Sequence, residues 1–126
     1  MATITEDYVS FETAKLLKEK GFNEPTICVY HKDGTFEQVT LIAWNDKFIT
    51  PISAPTLQMV MKWLVQEYRL YVNVVPSVVD FYWTKKWDSY VEDLNKRYPL
   101  GKFISTFNSL EEAAEAAIKY CLENLI

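Results

Sequence analysis

Side chains suited to nucleophilic chemistry are scarce in this chain: two cysteines, Cys28 and Cys121, and one histidine, His31, in 126 residues. Cys28 and His31 are close enough in sequence to suggest a thiolate with its base. They sit in a strand-like run, Thr26-Ile27-Cys28-Val29-Tyr30-His31. Positions three apart on a strand point to opposite faces, so the two side chains cannot meet locally. The better reading is a core cysteine and a surface histidine beside a turn. Carboxylate pairs fare no better. Glu111 and Glu112 belong to the first turn of an expected helix, where the dipole favours acids. Asp80 and Asp88 share a strand face but lie roughly 27 Å apart, too far to serve one scissile bond. One histidine without a His/Cys cluster argues against zinc, and Asp33-Gly34 lacks the other ligands of a calcium loop. Three glycines, at positions 21, 34 and 101, leave no Gly-rich phosphate loop. No cofactor and no catalytic residue is expected.

Two surfaces remain as candidates. Tyr82, Trp83, Lys85, Lys86 and Trp87 stand on one expected strand, followed by Lys96, Arg97, Tyr98 and Lys102. Aromatics interleaved with cations on a sheet can stack single-stranded bases. Tyr82, Lys86, Lys96, Arg97, Tyr98 and Lys102 are therefore the candidates for a ligand or nucleic-acid surface. Strand alternation, however, assigns Phe81, Trp83 and Trp87 to the core, and a net charge of −4 opposes approach to a polyanion. The second candidate is Met59 with Trp63, which falls off the main apolar face of an expected helix. Trp and Met are enriched at protein interfaces; the same pair could instead pack beneath residues 88–102.

The elements that must position these residues follow from periodicity. Ser10 caps a helix over Phe11–Lys20 that Gly21 ends. Strands are expected over Thr26–His31 and Thr35–Thr40, the second extending as far as Trp44, with Asp33-Gly34 as the hairpin turn. A short third strand over Phe48–Thr50 precedes an irregular Pro51–Pro55. Thr56–Arg69 reads as a helix whose apolar face is Leu57, Val60, Met61, Leu64 and Tyr68. Leu70–Val75 is a strand, Pro76-Ser77 a turn, and Val79–Trp87 another strand with its odd positions inward. Asp88–Leu100 is a short helix or a loop, and Lys102–Phe107 a strand. Ser109 with Glu112 forms a capping box before a helix over Leu110–Asn124. Its alanines permit close approach to a sheet. Together these give an α+β fold, with a mostly antiparallel sheet and three helices packed largely on one face, in a single domain over 1–126.

Composition is consistent with that class. Hydrophobic residues make up 49% and aromatics 15%, enough for a real core and wrong for disorder, collagen or a disulfide scaffold. No apolar run reaches the roughly 18 residues of a membrane helix. Residues 1–10 carry Glu6 and Asp7 and lack the basic and apolar regions of a secretory signal. A cytoplasmic location with reduced cysteines and no membrane association is expected.

Three phrases, Tyr8–Phe22, Ala54–Leu64 and Glu111–Ile126, carry a resemblance that spans the chain. They resemble a group of small uncharacterised proteins encoded by prophages and mobile elements of anaerobic gut bacteria. That resemblance implies a shared scaffold with variable segments at roughly 24–50 and 76–106, and it implies no activity, ligand or site residue. The expected function is that of a small non-enzymatic accessory protein acting by protein–protein contact, with self-association through Met59 and Trp63 as its specific form. The alternatives are a single-stranded nucleic-acid binder and a small-molecule-binding domain with a pocket beside the 40–55 or 88–102 segments.

Overall fold

Ser10 and Gly21 set the limits of helix α1 (Phe11–Glu19) in a computed structural model that describes residues 7–43, 51–96 and 101–126. Ser10 Oγ accepts the Thr13 N–H at 3.2 Å, satisfying one of the donors that every helix start leaves unpaired. Gly21 takes φ +90°, a left-handed conformation that penalises any side chain with a Cβ. This turn lets the Phe22 N–H reach the Leu17 carbonyl at 2.9 Å and the Gly21 N–H reach that of Lys18 at 3.2 Å. These are the paired bonds of a Schellman stop, which usually brings a hydrophobic contact with it. Leu17 and Phe22, the residues joined by the longer-range bond, are both fully buried.

Strands β1 (Thr26–Tyr30), β2 (Phe36–Ala43) and β3 (Ile52–Ser53) form an antiparallel sheet in the order β2-β1-β3. Asp33-Gly34 turns the chain, using a three-residue loop rather than a two-residue one. The Gly34 N–H bonds the His31 carbonyl and the His31 N–H bonds that of Thr35, each at 2.8 Å. Gly34, at φ +90°, is the left-handed residue that such a loop requires. Asp33 Oδ1 accepts the Thr35 N–H at 2.9 Å. The Thr35 hydroxyl first, and its N–H second, hold the Asp33 carboxyl below the usual carboxylate range. The strand expected at Phe48–Thr50 and the end of β2 at Trp44 lie outside the described residues. Pro51–Pro55, expected to be irregular, contains β3. Tyr8 bridges Thr56 and the Val9 N–H bonds the Pro55 carbonyl, so the segment before α1 is tied to the chain beyond β3. All of this belongs to the first of two compact units, Met1–Leu57.

The second unit is Gln58–Ile126. It contains nearly all of α2 (Leu57–Tyr68), then β4 (Leu70–Val79), β5 (Tyr82–Asp93), β6 (Lys102–Phe107) and α3 (Leu110–Asn124). Its strands form an antiparallel sheet in the order β4-β5-β6. The α+β class therefore holds, with three helices and two three-stranded antiparallel sheets among the described residues. The sequence pattern alone had not separated the two sheets. α3 packs on β4, β5 and β6, and its alanines allow a close approach: Ala113, Ala114 and Ala117 are buried. The Ser89 hydroxyl of β5 donates to the Ala113 carbonyl at 2.7 Å. Ser109 Oγ accepts the Glu112 N–H at 3.1 Å and starts the helix as its spacing predicts.

Two local expectations are corrected. Pro76-Ser77 does not turn the chain, and β4 runs through it to Val79. Because β4 is an edge strand, the missing N–H of Pro76 costs the ladder little. A bulge follows, in which Ser77 alone faces Thr84, Lys85 and Lys86, with Lys85 at φ +68°. Asp88–Asp93, expected as helix or loop, continues β5. Just beyond it, Asn95 Nδ2 donates to the Tyr68 carbonyl at 3.0 Å. That bond satisfies a C-terminal carbonyl of α2 from a residue 27 positions away.

Candidate interaction surface

The sheet of the second unit is longer than the helix that covers it. At about 1.5 Å per residue, the 15 residues of α3 span about 22 Å. The 12 residues of β5 include a bulge and run alongside the 10 residues of β4, which at about 3.3 Å per residue span about 33 Å. Buried side chains of β4 and β5 gather mainly at the covered end, at Val72, Ser89 and Val91. Trp87 is half-buried where the cover gives out.

Beyond it the two strands continue as a free hairpin. Val79 pairs with Tyr82, leaving Asp80 and Phe81 as the central residues of a two-residue loop, at φ +51° and +70°. Two successive positive φ angles define a type I′ turn, whose twist matches that of the strands it joins. Asn-Gly or Asp-Gly is the usual sequence there. Phe81 stands in the glycine position and is 99% exposed. Tyr82 is 78% and Trp83 70% exposed, and Val78 and Val79 are exposed as well. The pairs Val78–Trp83 and Val79–Tyr82 alternate between ribbon faces, so the tip is apolar on both.

The placement of Phe81 and Trp83 in the core is thereby corrected. The ladder carries Trp83 onto the same face as Trp87, as expected, and as Ser89 and Val91 beyond it. It says nothing about whether a helix reaches that far. A bulky residue at positive φ is strained, and strain retained at a fully exposed ring is a pointer to function. Comparing expected strand length with expected helix length was the signal available in the sequence.

The other candidates are placed as follows. Trp63 is 7% exposed and packs edge-on against Tyr68, ring centroids 5.2 Å apart at 74°. Met59 is half-buried. An interface built on Met59 and Trp63 thus lacks its large exposed anchor, because Trp63 is already covered within the folded chain. Tyr82 and Lys86 lie at the hairpin end of β5, whereas Lys96 follows its other end. Lys102 pairs with Val91, which faces Val72, seven residues along β4 from the Val79–Tyr82 pair and so about 23 Å away. These side chains do not converge on one surface; Arg97 and Tyr98 lie outside the described residues.

Cys28 and Cys121 are free thiols and both are buried. Burial pushes the Cys121 thiol up to about 12, so it stays a protonated, unreactive thiol at pH 8. His31 Nε2 lies 2.5 Å from Glu37 Oε2 on the β1–β2 hairpin, not beside a cysteine. In an aromatic disulfide assay at pH 8, the native protein is expected to show no fast thiol reaction, and two reactive thiols on unfolding. A fast native thiol would contradict this burial. Among the described residues no three of His, Cys, Asp or Glu form a group that could hold a metal ion. No described helix is long and apolar enough to cross a membrane. No family model, curated protein or solved structure matches the chain.

Proposed function

We propose that this is a non-enzymatic contact protein whose docking element is the β4–β5 hairpin tip. One observation carries the reading: Phe81, Tyr82 and Trp83 stand exposed on a ribbon that α3 leaves uncovered. Contiguous exposed apolar surface of this kind marks interaction sites, and aromatic anchors dominate their energetics. A photo-crosslinking phenylalanine analogue placed at position 81 in expressing cells tests the reading. A discrete crosslinked protein species is expected from position 81 and none from position 62, an exposed site on α2. Equal, diffuse labelling from both positions would sink the reading.

A further inference from the structure

We infer that the occupant of this hairpin tip is the tip of a second copy of the same chain; the inference rests on the contact reading above. The first argument is area. Aromatic side chains bury about 150–250 Å² each when fully covered, so Phe81, Tyr82 and Trp83 offer about 500 Å² at their observed exposure. Val78 and Val79 bring the tip to roughly 600 Å². Two copies then remove about 1,200 Å², the lower edge of what a specific interface requires. Two-stranded ribbons twist strongly, and two twisted ribbons that wind about one another cover both apolar faces of each tip.

The second argument is charge. Asp80 lies at the turn, while Lys85 and Lys86 stand in the bulge opposite Ser77, two residues along β4 from the Val79–Tyr82 pair and so about 7 Å back along the ribbon. None of the three makes an ion pair among the described residues. A twofold axis makes a patch meet itself. Hairpins that overlap in opposite directions by about that length bring each Asp80 beside the partner's lysine pair. The tip is thus complementary to itself in sign as well as in apolar character. An anionic lipid surface would satisfy Lys85 and Lys86 but would repel Asp80 at the leading end.

Sedimentation velocity from about 5 to about 500 µM, a range bracketing a dissociation constant of tens of micromolar, tests the inference. Wild type is expected to pass from monomer to dimer, with Asp80→Lys weakening association at least tenfold. Adding Lys85→Asp and Lys86→Asp to Asp80→Lys reverses every tip charge and is expected to restore wild-type association to within about threefold, as a charge-pair cycle requires. Circular dichroism on each variant confirms that it is folded. A wild type that stays monomeric throughout overturns the inference, as does a dimer indifferent to Asp80→Lys. Vesicles of equal phosphatidylcholine and phosphatidylglycerol provide a third arm, and tip-dependent binding by a monomer also overturns it. The crosslink at position 81 separates the two levels. A monomer that crosslinks discretely to another protein ends the second-copy inference alone, and a monomer with no discrete crosslink ends the contact reading too.

Discussion

Replacing Phe81 by glycine is expected to stabilise the monomer. Phe81 sits at φ +70°, where an ordinary L side chain costs about 1–2 kcal/mol. Glycine removes that cost but adds conformational freedom to the unfolded chain, worth about 0.4–1 kcal/mol against it. The ring itself has nothing to lose, being 99% exposed. The net gain is about 0.5–1 kcal/mol, and the turn becomes Asp-Gly, the sequence that type I′ geometry favours. For a chain of this size that is a rise of roughly 2–4 °C in Tm, to be read by thermal unfolding at low micromolar concentration, where association contributes least. A buried phenylalanine would give the opposite sign and a loss of about 3–5 kcal/mol on truncation. The sign alone therefore distinguishes a ring held out for contact from one that belongs to the core. Destabilisation beyond about 2 kcal/mol would refute the exposed placement.

Phe22→Ala is expected to be the most damaging single truncation in the first unit. Phe22 is fully buried and leads the fully buried side chains in volume. Truncating such a ring costs about 3–5 kcal/mol through lost transfer energy and the cavity left behind. Phe22 also occupies the position where the Schellman stop of α1 meets the core, since its N–H bonds the carbonyl of buried Leu17. Loss of the ring therefore loosens a helix end as well as the packing. Urea unfolding should show a midpoint shift with little change in slope. A loss under about 1 kcal/mol would mean that the site collapses or that Phe22 is not enclosed.

Where local chemistry decides, the sequence was legible. Ser10, Gly21, Asp33-Gly34 and Ser109 each mark an element boundary, because capping and left-handed turns depend on a few adjacent residues. The covered parts of the elements were legible too, through periodicity. What periodicity alone could not give was reach. Alternation along β5 gives the face of Trp83 but not the end of α3. Helical phase placed Trp63 off the main stripe of α2, yet it is buried, since a helix buried on several sides has no single inward stripe. Pro76 looked like a turn because its context as an edge residue followed by a bulge is tertiary. The candidate site was hidden for the same reason: its rings have core-like types in a core-like pattern, and only the missing cover makes them a surface.

Pro76 has one further consequence. A long hairpin with an apolar tip and an open outer edge is a template on which like chains can stack strand by strand into fibres. On β4 that edge is interrupted midway, by a residue with no N–H to offer and by the irregular register just after it. Growth by backbone pairing is blocked where the ribbon leaves the protection of α3. What the tip still offers is side-chain contact, the mode proposed above. The residue that reads in the sequence as a break in structure is thus expected to hinder strand-by-strand stacking at this edge.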